Sequence, residues 1–104
     1  MKKIEFISSK HVLSFEEPLI GDYWEALEEA AKFGGRLLNI KDAMIIEHLE
    51  MFDKIGLKEK NDYGSWLEEN YEDGALYLSL RDDSLVVKTY CTTSRRMFFI
   101  VVED

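Results

Sequence analysis

Residues 22–37, DYWEALEEAAKFGGRL, contain one helix with a start signal and a stop signal. Asp22 can accept a hydrogen bond from a free amide of the first turn, while Glu25 reaches back to it in the spacing of a capping box. The two glycines that follow Phe33 can end the helix, because glycine takes the left-handed closing conformation without a steric penalty. The sequence therefore predicts a helix from about Asp22 to Phe33.

The apolar residues of this segment form one stripe along the predicted helix. The stripe consists of Tyr23, Trp24, Leu27, Ala30 and Ala31. Such a stripe is typical of a helix that packs on a core, with the charged side chains turned mostly away. We therefore predict that Trp24 packs in the core and that Arg36 forms a salt bridge or a backbone contact. A position lining a groove is the alternative for both residues.

A second helix is predicted shortly afterwards, where Asn39 or Asp42 can cap its first turn. Its apolar face would carry Ile45, Ile46, Leu49 and Phe52. Gly56 would end this helix. Residues 58–64 are polar and rich in turn formers, which predicts a loop.

The other apolar segments have the composition of β-strands. Residues 4–7 and 11–15 are short apolar runs that predict two strands, or one strand and an extended arm. Residues 75–80 and 85–90 flank a polar turn that suits a hairpin. The continuous apolar run Met97–Val102 predicts a strand that is covered on both faces. The same run could equally form a sheet edge that pairs between chains, so the oligomeric state stays open.

Helices in the first half and strands in the last third indicate the α+β class. A length of 104 residues is enough for an ordinary core without metal or disulfide bonds. We expect a single domain, residues 1–104, in which two helices pack on one twisted antiparallel sheet. The N-terminal strand is expected near the C-terminal one.

The charge of the chain argues against a nucleic-acid partner. The formal net charge is -8, and residues 16–73 hold 16 acidic and 6 basic residues, a net charge of -10. A phosphate backbone would be repelled by this region.

The lone cysteine, Cys91, excludes an intramolecular disulfide and fits a reducing compartment. Without an apolar signal-peptide centre or a membrane-length apolar run, we expect a cytoplasmic protein with no membrane partner.

Three short motifs resemble sequence motifs of proteins with the C-type-lectin-like fold. They are Trp24-Glu25-Ala26, Gly34-Gly35-Arg36-Leu37 and Gly64-Ser65-Trp66, followed by a hairpin and a closing C-terminal strand. More narrowly, the pattern is similar to the bacterial branch of that fold found at the ends of collagen-like adhesins. The resemblance covers residues 22–104 and implies a C-type-lectin-like arrangement of the helices and the sheet.

The chain departs from the family at the positions that carry chemistry. The Glu-Pro-Asn or Gln-Pro-Asp loop and the Trp-Asn-Asp strand of calcium-dependent lectins are absent, and Trp66 is followed by leucine and glutamate. The sulfatase-activating branch relies on cysteines, and Cys91 has no partner cysteine. The resemblance therefore implies a scaffold without the family's known sites, and a fold alone confers no activity.

A group of aromatic and acidic residues is the candidate binding surface. It consists of Tyr63, Trp66, Glu68, Glu69 and Tyr71. Aromatic side chains among polar neighbours are typical anchors for protein or peptide partners. The alternative is that these aromatic residues only close the core.

The sequence offers no assembled metal site or catalytic set. The acidic residues near position 70 lack the spacing of a calcium loop, and His11 and His48 have no second histidine at ligand spacing. Arginines close to Cys91 could favour its thiolate, but our default is a buried, inert cysteine. We expect no catalytic residue, no metal and no cofactor.

The leading hypothesis is a non-catalytic intracellular module that binds a protein or peptide. The alternative is an acidic inhibitor or immunity-type protein that occludes a basic partner, which would give salt-sensitive association. An enzyme with carboxylate or thiol chemistry is the third hypothesis.

Overall fold

The structure, a computed structural model, describes residues 2–7, 9–17, 19–51, 64–71, 74–81, 84–90 and 95–104. Its two helices are α1 (Tyr23–Lys32) and α2 (Ile40–His48). Its strands are β1 (Lys2–Ile7), β2 (Lys10–Ser14), β3 (Leu19–Gly21), β4 (Arg36–Leu37), β5 (Ser65–Tyr71), β6 (Gly74–Arg81), β7 (Ser84–Tyr90), β8 (Met97–Phe99) and β9 (Val101–Glu103).

The strands form two sheets. One sheet has the order β1-β2-β9-β4, and the other has the order β3-β8-β5-β6-β7. All described pairs are antiparallel except β5 with β8. The α+β class is therefore confirmed, whereas the prediction of one antiparallel sheet is wrong. The predicted 75–90 hairpin is confirmed as β6 and β7, and β2 pairs with β9, which brings the N-terminal hairpin beside the last strand.

The apolar run near the C-terminus is divided between the two sheets. Residue Ile100 separates β8 from β9, so the prediction of one strand from Met97 to Val102 is wrong. Each strand lies inside its sheet, with β8 between β3 and β5 and β9 between β2 and β4. Val101 and Val102 are both buried, as expected for a strand that is covered on both faces. The run is therefore not a sheet edge.

Helix α1 begins and ends where its local signals predict. The amide of Glu25 donates to the Asp22 carboxylate over 2.8 Å, and the Glu25 carboxylate accepts in return from the Asp22 amide. Phe33 caps the C-terminal end, and Gly34 follows with φ of +77°, the left-handed conformation that glycine tolerates best. The sequence thus contains the local signals for both ends of this helix.

The buried face of α1 is narrower than the predicted stripe. Tyr23, Ala26 and Ala30 are buried, at spacings of three and four residues. Trp24 is one position further round the helix and is 58% exposed, so its predicted place in the core is wrong. Because consecutive helical residues differ by about 100° in direction, Tyr23 and Trp24 do not both point at the core.

Helix α2 begins at the predicted cap but ends earlier than predicted. Asn39 is the N-cap. Its side-chain oxygen accepts from the Asp42 amide, and the Asp42 carboxylate accepts in return from the Asn39 amide. The helix ends at His48, and its buried residues are Asp42, Ala43 and Ile46. Leu49 is therefore outside the helix and exposed. The predicted continuation to residues 52 and 56 lies outside the described residues.

The core has two clusters, one associated with each helix. The α1 cluster contains Tyr23, Trp66, Met97, Phe99 and Val101 among others, and the α2 cluster contains Ala43, Ile46, Leu67, Leu78 and Val102 among others. Neighbouring residues of β5 and of β9 point to different clusters, so these strands are covered on both faces. Neither described helix is long and apolar enough to cross a membrane.

Candidate binding surface

Trp66 belongs to the core and not to a binding surface. Its side chain is 0% exposed, and its indole Nε1–H donates to the carbonyl of Gly21 over 3.0 Å. Its ring meets the ring of Tyr23 edge to face, at a centroid distance of 5.6 Å. The polar neighbours of Trp66 in the sequence suggested a surface position, but residues 65–71 form the interior strand β5. We therefore remove Trp66 from the predicted surface.

The other residues of the predicted surface have different environments. Glu68 is exposed, whereas Glu69 is half-buried and its carboxylate accepts from the amide of Ile40, the first residue of α2. This contact satisfies a free amide at the helix N-terminus, where negative charge is favourable. Tyr63 lies outside the described residues, as does the side chain of Tyr71. Of the five predicted residues, Glu68 is the one with a described, exposed side chain.

Trp24 is the exposed tryptophan of this region. Its ring meets that of Tyr23 edge to face, at a centroid distance of 5.2 Å and an interplanar angle of 72°. The Tyr23 hydroxyl in turn donates to the carbonyl of Glu68 over 2.6 Å. Tyr23 therefore fixes the start of α1 to the middle of β5 and brings Trp24 and Glu68 into one neighbourhood.

An irregularity in β5 makes the Glu68 backbone available for this contact. The register between β5 and β6 shifts between Trp66 and Asn70, so the residues between them leave the regular ladder. The Glu68 amide donates to the carbonyl of Leu38 over 2.7 Å, and its carbonyl accepts from Tyr23. Both backbone groups of Glu68 are thus paired outside the sheet, and its side chain is exposed.

The electrostatic environment of Tyr23 shows that negative charge lies close by. Burial raises the pKa of the Tyr23 phenol, a hydrogen bond with the Asn70 side chain opposes that rise, and the negative charges of Glu68 and Glu69 add to it. Trp24, Glu68 and Asn70 are exposed around this buried phenol, and we call these three residues the Trp24 surface. Of the five residues predicted as a binding surface, Glu68 belongs to the Trp24 surface, whereas Trp24 itself was predicted to lie in the core.

The sequence contains a signal that could have identified Trp24 as an exposed residue. Tyr23, Ala26 and Ala30 form a narrow stripe of their own, and small residues at two of its positions allow close packing on the sheet. The wider stripe that included Trp24 concealed this pattern. The burial of Trp66 has no such local signal, because it depends on contacts with Gly21 and Tyr23, about 45 residues away.

A second candidate is an apolar groove beside α2. It has a volume of about 940 Å³ and is lined by Ile7, Ile40, Ala43, Met44, Ile45, Glu47, His48, Leu49, Leu78 and Val87. Met44, Leu49 and Val87 on its lining are exposed. Nothing in the described part of the chain indicates what covers it.

Charged residues between β4, α2 and the end of the chain form a structural cluster. Arg36 donates to Asp42 over 2.6 Å and to both carboxylate oxygens of Asp104 over 2.9 Å. It also donates to the carbonyl of Leu37, so the predicted salt bridge and backbone contact of Arg36 are both present. The hydrogen bond with Asp104 is the largest factor that raises the pKa of Arg36.

Residues that could hold a metal ion are not brought together in the described part of the chain. No group of three or more histidine, cysteine, aspartate or glutamate side chains is placed there to bind one ion. His11 lies 3.6 Å from the carboxylate of Glu5. Cys91 lies outside the described residues.

Comparisons of the chain with protein-family models, with curated protein sequences and with solved structures found no match.

Proposed function

We propose that this chain is a non-catalytic, intracellular module that binds a segment of a protein or peptide through the Trp24 surface. The observation that supports the proposal is the exposure of Trp24 on a fixed support. The side chain is 58% exposed, yet its ring rests on Tyr23, which is buried and hydrogen-bonded to β5. A large aromatic side chain held in place loses little conformational freedom when a partner covers it.

The energy available from covering Trp24 is large enough to anchor a partner. Burying the exposed part of an indole removes on the order of 100 Å² of apolar surface from water and contributes about 2.5 kcal/mol. Tryptophan is also among the residue types enriched in binding hot spots. One such anchor with a polar surround suits a short segment or a small interface.

We also propose that the scaffold is C-type-lectin-like. Support comes from the order of its elements, with an N-terminal hairpin, two helices and then a hairpin before the closing strands. The pairing of β2 with β9, whose Val102 lies close to Gly35 after α1, agrees with that arrangement. The intracellular location is supported by the single cysteine of the sequence.

The proposal is tested by selecting binders from a random peptide library on the immobilised full-length chain. The two tryptophans provide a matched pair of variants, Trp24→Ala and Trp66→Ala. We expect Trp24→Ala to weaken the selected peptides at least about tenfold, while the free energy of unfolding changes by less than about 1 kcal/mol. Trp66→Ala should instead destabilise the fold by about 3–5 kcal/mol, because it empties a packed site in the core.

The proposal fails if the selected peptides bind the Trp24→Ala variant as tightly as the parent chain. It also fails if repeated selections yield no peptide that binds at the Trp24 surface. Fluorescence anisotropy measures the affinities, and urea titrations measure the stabilities.

The second candidate function is an acidic inhibitor or immunity-type protein. The net charge of -10 over residues 16–73 favours it. Such a protein would bind a polycationic partner through many carboxylates, so binding would weaken steeply with salt. Salt-sensitive binding that survives Trp24→Ala would favour this candidate over the first.

A further inference from the structure

We infer that the Trp24 surface recognises a cationic side chain, arginine or lysine, on the bound segment. The inference rests on the proposed function and adds the chemistry of the partner. It depends on an exposed indole and exposed carboxylates that the fold holds in one neighbourhood.

The aromatic component is the indole of Trp24. A cation above an indole is attracted by the negative charge of the ring face, and tryptophan gives the strongest such interaction of the aromatic residues. More than half of the Trp24 side chain is open to solvent, and its contact with Tyr23 at 72° limits the orientations of the ring. The ring is therefore held in place before a cation arrives.

The acidic component comes from both β5 and α1. The Tyr23 hydroxyl donates to the Glu68 carbonyl over 2.6 Å, and the Tyr23 ring contacts Trp24, which places Glu68 near the indole. The negative charges of Glu68 and Glu69 also help to raise the pKa of the Tyr23 phenol. Glu69 is engaged by the amide of Ile40, but Glu68 is exposed. Glu28, also exposed, follows Trp24 by four residues on α1, the spacing of side chains on one helix face.

Positive charges of the described residues do not neutralise Glu68. Among the described residues, no lysine or arginine forms an ion pair with its carboxylate, whereas Glu25 is paired with Arg96 and Glu29 with Lys32. A cation on the partner would thus add a charge pair and would not displace an existing one at Glu68. An uncharged side chain of the same shape would gain the aromatic contact without the charge interactions.

The test compares N-acetylargininamide with N-acetylcitrullinamide, a neutral probe of nearly the same shape. Each is titrated into the ¹⁵N-labelled full-length chain, and the Nε1–H signal of Trp24 is followed. A cation–indole contact together with one exposed ion pair predicts a preference for the arginine probe of roughly three- to thirtyfold. The buried indole of Trp66 serves as an internal reference that should not shift.

Two variants test whether the carboxylate of Glu68 causes the preference for the arginine probe. Glu68→Gln should reduce affinity for the arginine probe by about two- to fivefold and leave the citrulline probe unchanged. Glu16→Gln removes the same charge from an exposed site next to Phe15, which packs on Phe33 at the opposite end of α1, and should leave both affinities unchanged. A well-dispersed spectrum of each variant shows that it is folded.

The inference is overturned if the two probes shift the Trp24 signal equally, or if neither shifts it. Selected peptides that need Trp24 but carry no arginine or lysine would also overturn it, while the proposed function would stand. An arginine shift at Trp24 without any selectable peptide would instead count against the proposed function.

Discussion

Asp42 is an almost fully buried carboxylate, and Arg36 is its closest cation. The Asp42 side chain is 1% exposed, and its Oδ2 atom accepts from Arg36 over 2.6 Å and from the Asn39 amide over 3.0 Å. Among the described residues, its Oδ1 atom has no hydrogen-bond donor, and Lys10 Nζ lies 3.9 Å away. Removing a charge from water is costly, so the folded state depends on this pairing.

We therefore expect Arg36→Met to be strongly destabilising. The substitution leaves the Asp42 carboxylate buried without its closest positive charge, which costs about 3–5 kcal/mol in comparable pairs. The matched control is Asp104→Asn, which breaks the exposed side of the same network and should cost less than about 1 kcal/mol. Urea unfolding of the two variants measures the difference. Equal losses would show that Asp42 does not depend on Arg36.

Asp104 gives the stability a dependence on acid pH. Its hydrogen bond with Arg36 is the main reason that its pKa lies below the ordinary value of 3.8, and the nearby charges of Arg36 and Lys10 act in the same direction. The unfolded chain therefore takes up this proton at a higher pH than the folded chain does. The stabilisation is fully present above the ordinary carboxyl pKa and is lost as the pH falls from there through the lower pKa of Asp104 in the folded chain.

We expect the stability difference between the parent chain and Asp104→Asn to shrink as the pH falls from about 5 to about 2. The difference is small throughout, because the Asp104 side chain is 56% exposed and solvent screens the pair. Urea midpoints of both proteins across this pH range provide the measurement. A difference that stays constant with pH would contradict the assigned pKa direction.

At the scale of single elements, the helix starts could be predicted because their signals are local. The capping boxes at Asp22 and Asn39 each involve residues three positions apart, and both are present. The ends of α1 follow from a segment of about a dozen residues. The placement of Trp24 and Trp66 could not be predicted in the same way, because burial of Trp66 requires β5 to lie between β8 and β6.

The strands near the C-terminus show a similar limit. The composition of residues 97–102 predicts strand and burial, and both are present on either side of Ile100. The change of sheet at Ile100 has no proline or glycine to mark it. It depends on the partners that β8 finds in β3 and β5 and that β9 finds in β2 and β4. The α+β class was therefore accessible from the sequence, whereas the two-sheet arrangement was not.

At the scale of the whole molecule, the junction at Ile100 links the two sheets mechanically. One residue separates an interior strand of the five-stranded sheet from an interior strand of the four-stranded sheet. Helix α1 and strand β4 are similarly close in sequence, and β4 completes the sheet that contains β9. Because one residue joins β8 to β9, we expect displacement of either strand from its sheet to disturb the other sheet as well.

We therefore expect the two sheets to unfold in one cooperative transition. In a Trp24→Phe background, the fluorescence of Trp66 reports on the five-stranded sheet, and hydrogen exchange of the Val102 amide reports on the four-stranded one. Coupled units open with the same free energy, so unfolding free energies from the two probes should agree within about 0.5 kcal/mol. An amide of Val102 that exchanges with a much lower free energy would show that the four-stranded sheet opens independently. The short connection at Ile100 would then not couple the sheets.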